Sequence, residues 1–140
     1  VVDAVAVPVI ANGDIVDAAT ARQARAQSGA AGVMVGRGAQ GRPWVLAEIA
    51  HALHGHPAPQ VPQGAALADL VAEHYEAVLA FYGTELGLKV ARKHLGWYLE
   101  AAGTTALRGA ILTSDDPATV PRLLPQAFAE PAAEIPGVAA

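Results

Sequence analysis

Two short apolar runs, each followed by a glycine-containing turn and then a helical pattern, constrain this chain more than any other feature. Val5-Ala6-Val7-Pro8-Val9-Ile10 leads into Asn12-Gly13-Asp14, and Gly32-Val33-Met34-Val35 leads into Gly36-Arg37-Gly38. Runs of this length without alternation fit strands covered on both faces in a parallel sheet. Pro8 counts against a fully paired central position, because it has no N–H to donate. Val16 to Gln27 has a helical pattern that Asp14 or a neighbour can cap and that Ser28-Gly29 closes. A further helix is expected from about Pro43 to His54. Strand, turn, helix, strand, turn, helix implies parallel strands joined by crossovers. Two strands do not make a stable parallel sheet by themselves. Further strands are therefore expected, from another chain or from residues upstream of Val1, and the start on valine rather than methionine favours the second.

Gly55 to Gly64 holds three prolines and two glycines and is the only convincing linker. Residues 1–56 are thus expected to form an α/β part, 57–64 a linker, 65–130 a small antiparallel helical bundle, and 131–140 a loose tail. Within the bundle, helices are expected over Ala65 to Tyr82, Thr84 to Ala102, about Thr105 to Leu112, and Pro117 to Ala129. Thr84 is a candidate N-cap for the second, and Ser114 or Asp115 for the last.

Nine Lys+Arg against thirteen Asp+Glu give a net charge of −4, which argues against a broad polyanion-binding surface. The charge is uneven, however. Between positions 86 and 110, Lys89, Arg92, Lys93 and Arg108 are opposed only by Glu100. At about 100° per residue, Lys89, Arg92, Lys93, Gly96 and Glu100 share one stripe of the second bundle helix, and Leu88, Ala91, Leu95, Tyr98, Leu99 and Ala102 share another. One stripe reads as core. The other reads either as a phosphate-backbone contact, with Gly96 lowering its middle, or as an ordinary solvated face. Trp97 reads as packing, with base stacking as the lesser option.

Cysteine is absent, which excludes a disulfide framework, thiolate metal sites and any thiol chemistry supplied by these residues. No apolar run approaches the roughly 18–20 residues of a membrane span, and no basic secretory head is present, so a soluble, cytoplasmic chain is expected. His51, His54 and His56 resemble a metal cluster in spacing. They read better as exposed residues at a helix C-terminus, where their protonated forms are favoured, and no metal is expected. Trp44 reads as an anchor at the start of its helix.

The two turns lie at the C-terminal ends of successive strands. In a (β/α)₈ barrel that face carries the active site, and a phosphate commonly binds between the loops after the last two strands. Glycines let the backbone approach a phosphate and present N–H groups, and Arg37 can add a charge-assisted contact. The alternative is that asparagine and glycine simply make tight turns. Arg37 tilts the balance, since a short turn has no structural need for it.

Val9-Ile10-Ala11-Asn12-Gly13-Asp14-Ile15 and Ser28-Gly29-Ala30-Ala31-Gly32-Val33-Met34-Val35-Gly36-Arg37-Gly38-Ala39-Gln40-Gly41-Arg42-Pro43-Trp44 closely resemble the tRNA-dihydrouridine synthases. The likeness continues through Ala91-Arg92-Lys93-His94-Leu95-Gly96-Trp97-Tyr98, similar to the bacterial B-type branch, and weakens beyond about Leu112. This resemblance implies the last two βα units of an FMN-binding (β/α)₈ TIM barrel followed by a helical tRNA-binding domain. It implies an oxidoreductase that reduces uridine in tRNA to dihydrouridine with NADPH. By resemblance, Asn12, Gly13, Asp14, Gly36 and Arg37 hold the FMN phosphate, and Lys89, Arg92, Lys93 and Arg108 meet tRNA. The family's catalytic cysteine, a general acid, has no counterpart here, so no catalytic residue is expected in this chain and, alone, it is expected to be inactive. Two other readings stay open: a different flavin or phosphate-binding barrel oxidoreductase whose bundle serves oligomerisation, and a module that only binds RNA. No stable protein partner is expected, apart from self-association through open strand edges.

Overall fold

The computed structural model describes residues 2–129. The chain divides into two compact units, one through Val61 and one from Pro62 onward. The tail expected over 131–140 lies outside the described residues.

In the first unit, strand β1 (Ile10–Asn12) pairs in parallel with strand β2 (Gly32–Met34), with Ile10 opposite Gly32, Ala11 opposite Val33 and Asn12 opposite Met34. Helix α1 (Ala18–Ser28) connects them, and helix α2 (Val45–His54) follows β2. The first apolar run was expected to be a strand over its whole length, but only its end pairs. Pairing needs a neighbour, and among the described residues β2 is the only one. Val5 and Val7 are left exposed.

Helix α1 begins two residues later than the pattern from Val16 suggests, because Asp17 rather than Asp14 caps it. The Thr20 N–H donates to Asp17 Oδ1 at 2.7 Å, and the Asp17 N–H donates to Thr20 Oγ1 at 3.1 Å. The Thr20 N–H, and after it the Thr20 hydroxyl, which donates to the same oxygen at 2.8 Å, hold the Asp17 carboxyl below its usual range. Gly29 ends the helix at φ +68°, with its N–H donating to the Arg25 carbonyl.

Ile15, Ala21, Val45 and Ile49 form the buried core of this unit, with Val33, Val35 and Leu53 packed against it. Side chains alternate along a strand, so Val33 faces the helices while Ile10 and Met34 face the other way. That second face is open: Ile10 and Met34 are 55% and 52% exposed. Parallel sheets are ordinarily covered on both faces.

The second unit contains helices α3 (Gly64–Tyr82), α4 (Thr84–Ala101), α5 (Arg108–Thr113) and α6 (Thr119–Ala129). A single residue, Gly83 at φ +76°, separates α3 from α4. Thr84 is therefore the first helical residue and makes no side-chain cap. The expected core stripe of α4 is observed in Ala91, Leu95, Tyr98 and Leu99, all buried, whereas Leu88 and Ala102 are half-buried. Leu67, Val71, Tyr75 and Val78 face them from α3, and Val120, Leu124 and Phe128 complete the core from α6.

The cap of α6 comes from Asp116, one residue beyond the expected pair. Its carboxylate accepts from the Ala118 N–H and the Thr119 hydroxyl, while Ser114 instead bonds the backbone of Asp116. Thr104 is buried and donates to the Ala127 carbonyl, and the Tyr75 hydroxyl donates to that of Pro117.

Gly87 marks a close approach of α3 and α4. A Cβ there would lie 2.9 Å from Leu79 Cα and 3.3 Å from the Val78 carbonyl oxygen. Both are backbone atoms that cannot swing aside, so Gly87→Ala should destabilise the bundle by about 1–3 kcal/mol in chemical denaturation. An unchanged midpoint would contradict this packing.

His74 and His94 also meet across this seam, with ring centroids 4.9 Å apart, and His74 Nδ1 lies 3.0 Å from the Tyr98 hydroxyl. Burial, then the neighbouring His74, pushes His94 below the ordinary histidine range. The unfolded chain therefore takes up this proton first. The contribution of His94 to stability is present above about pH 6.5 and is lost as pH falls through the folded-state value. Thermal melts from pH 8 to 5 should show this decline, and His94→Gln should flatten it. The Asp17 and Asp116 carboxyls, both held low, act only in the more acidic carboxylate range.

Candidate functional site

The fold brings the two glycine-containing turns together. Asn12 ends β1, Gly13 adopts φ +137° and Asp14 φ +46°, and the second turn enters a short 3₁₀ segment, Arg37–Ala39. Arg37 Nη2 donates to Asp14 Oδ1 at 3.1 Å across 23 positions of sequence. This ion pair is open to solvent, with side-chain exposures of 84% and 89%.

Gly38 permits this approach. A Cβ on Gly38 would collide with the Ile15 carbonyl oxygen and lie 2.8 Å from Val16 Cα, so the second turn rests directly on the backbone of the first. Nothing lies within 4 Å of the corresponding position on Gly13 or Gly36. Two glycines thus leave open space, and the third makes backbone contact. The sequence signal for Gly38 was the second glycine of Gly-Arg-Gly, but its neighbour, the Ile15–Val16 backbone, carries no side-chain signature.

The backbone N–H groups of Gly13, Asp14, Gly36 and Arg37 donate to no backbone carbonyl of a described residue. Among the described residues these N–H groups have no backbone acceptor and the Arg37 guanidinium is engaged through one nitrogen, a set of donors that can attract an anion. Asn12, Gly13, Asp14, Gly36 and Arg37 therefore lie in one neighbourhood.

The four basic residues expected to meet tRNA are placed less uniformly. Lys89 pairs with Glu85 one turn away at 3.1 Å, and both are exposed. Arg92 turns toward the α5–α6 connection, where Nη2 donates to Asp115 Oδ1 at 2.6 Å and to the Ser114 carbonyl at 3.3 Å. Its Nε is buried without a hydrogen-bond partner among the described residues. Arg108 Nη1 donates to the Gly96 carbonyl at 3.3 Å, and its guanidinium covers Gly96, which is buried. The step expected at Gly96 for a phosphate backbone is thus filled by Arg108. Lys93 is exposed and makes no ion pair with a described residue.

Trp97 is half-buried and packs edge-on against His94, with centroids 5.1 Å apart. In the first unit, His51 Nδ1 lies 2.6 Å from the His56 carbonyl oxygen, which ties the end of α2 to the following segment. No group of three or more metal-ligating side chains occurs among the described residues.

A family model described as dihydrouridine synthase matches residues 1–133. The chain belongs to the dihydrouridine synthase family. It is 61% identical over 127 residues to a protein of Rhodobacter capsulatus named probable tRNA-dihydrouridine synthase, covering 91% of this chain and 39% of that protein. A Rickettsia conorii protein of the same name is 46% identical over 119 residues, covering 84% of this chain and 36% of its own. A Xanthomonas axonopodis protein named tRNA-dihydrouridine synthase B is 47% identical over 95 residues, with 68% and 29% covered. The chain thus spans 39% or less of the length of these relatives. The match includes both turns and the helices of the second unit, in agreement with the resemblance seen in the motifs.

Proposed function

We propose that this chain contributes the cofactor-phosphate turns and the RNA-binding bundle of an FMN-dependent tRNA-dihydrouridine synthase that reduces uridine in tRNA with NADPH. The observation that carries this is the joining of the Asn12-Gly13-Asp14 and Gly36-Arg37 turns through an exposed ion pair at the ends of adjacent parallel strands. The fit to a phosphate rests on the open space at Gly13 and Gly36, on N–H groups there that have no backbone acceptor among the described residues, and on the Arg37 N–H donors that Asp14 does not engage. Gly13, Gly36 and Arg37 would hold the phosphate, and Asn12 would set the entry of the first turn. The bound flavin supplies hydride transfer, using electrons from NADPH. This chain contains no cysteine, so the general acid of the family mechanism must come from other residues of the enzyme.

The open face at Ile10 and Met34, and the outer edges of β1 and β2, are where the remaining strands of a (β/α)₈ barrel would pack. No described helix is long and apolar enough to cross a membrane, and a tRNA substrate fits a cytoplasmic enzyme.

A full-length enzyme carrying this segment should oxidise NADPH in a tRNA-dependent manner and form dihydrouridine. NADPH oxidation without dihydrouridine would favour a different flavin oxidoreductase. Lys89 and Lys93 are the fitting probes of the RNA surface, because Arg92 and Arg108 also hold the bundle together. Lys89→Ala/Lys93→Ala should weaken tRNA binding and reduce its salt slope by about 1–2. Unchanged affinity and slope would remove this stripe from the tRNA surface.

A further inference from the structure

The geometry points to Asp14 as a positioning residue that holds Arg37 over the phosphate turns, rather than as a ligand of the phosphate. This rests on the phosphate-site reading above. A carboxylate beside a phosphate repels it, so Asp14 gains nothing by facing the anion directly. Its observed partner is the guanidinium. Asp14 Oδ1 accepts from Arg37 Nη2 alone, and Arg37 Nε and Nη1 make no hydrogen bond with a described residue. One nitrogen is therefore fixed while the others remain available to an anion.

The backbone supports this role. Gly13 and Asp14 have successive positive φ values of +137° and +46°. The first is reached readily only by glycine, and the second is a left-handed conformation that aspartate tolerates better than most residues. Together they turn the Asp14 carboxylate toward a side chain that comes from a different βα unit. Arginine has several rotatable bonds, and a solvent-exposed guanidinium without a tether would lose more freedom when it binds an anion. Gly38, pressed against the Ile15–Val16 backbone, fixes the distance that the ion pair spans.

The test is FMN affinity, read by flavin fluorescence, in a full-length enzyme carrying this segment. Asp14→Gly removes the carboxylate without left-handed strain and should weaken FMN by about two- to fivefold, the scale of an exposed ion pair. Asp14→Asn keeps an oxygen acceptor for Arg37 and should restore affinity to within about twofold of wild type. In an Arg37→Ala background, Asp14→Gly should cause no further loss. The Asp14→Gly deficit should also shrink at high salt. Tighter or unchanged FMN binding in Asp14→Gly, with Arg37→Ala still weakening it, would overturn the positioning role and leave the phosphate site standing. An equal loss from Asp14→Gly with and without Arg37 would likewise show that Asp14 does not act through it. Unchanged affinity in Arg37→Ala would overturn the phosphate-site reading itself, and the positioning role with it.

Discussion

Replacing Arg37 with alanine in a full-length enzyme should weaken FMN binding by about ten- to a hundredfold, while leaving the thermal stability of the flavin-free protein nearly unchanged. The first magnitude follows from the roughly 1.5–3 kcal/mol that a hydrogen bond to a charged group contributes. The second follows from exposure. With side chains 84% and 89% exposed, the Arg37–Asp14 pair contributes little to folding. Equilibrium dialysis or fluorescence titration of flavin, beside a melt of the same flavin-free protein, separates the two effects. A large loss of stability with no change in affinity would make Arg37 a structural residue and remove it from the phosphate site.

Gly38→Ala should act in the opposite order, through the fold first. The added Cβ would collide with the Ile15 carbonyl oxygen and crowd Val16 Cα, and neither backbone group can move without shifting the start of α1. Overpacking of this kind costs about 1–3 kcal/mol. Relief by moving the 3₁₀ segment away from the first turn would also carry Arg37 away from Asp14 and from the turn glycines. Flavin affinity should then fall about tenfold or more, because hydrogen bonds weaken steeply once distance and angle are lost. A variant with wild-type melting and wild-type flavin affinity would show that the turn contact at Gly38 is not needed.

The contrast between these neighbouring positions shows which parts of the site were legible in the sequence. Asn12-Gly13-Asp14 and Gly36-Arg37-Gly38 were recognisable because turn chemistry uses few residue types, and each turn followed an apolar run. Their division of labour was not, because it depends on what stands opposite each residue. Gly13 and Gly36 face open space, Gly38 meets backbone, and Asp14 meets an arginine 23 positions away. None of these partners has a local signature.

The same distinction holds in the bundle. The core stripe of α4 followed from helical period alone, and Ala91, Leu95, Tyr98 and Leu99 are buried accordingly. The basic stripe followed from the same period, yet Arg92 reaches Asp115 and Arg108 covers Gly96. Long cationic side chains choose partners beyond their own helix, and periodicity does not describe that choice. The strand is shorter than the apolar run for a related reason: Val5 to Val9 has strand composition, but a strand exists only where another strand pairs with it.

In the proposed function the joined turns read the phosphate of a flavin rather than its ring. The most direct measurement compares FMN with riboflavin, which lacks only the phosphate, in the wild-type enzyme and in Arg37→Ala. The wild type should prefer FMN by at least about tenfold, and Arg37→Ala should largely abolish that preference while leaving riboflavin affinity unchanged. A preference for FMN that survives Arg37→Ala intact would contradict the account, because the phosphate would then be held elsewhere.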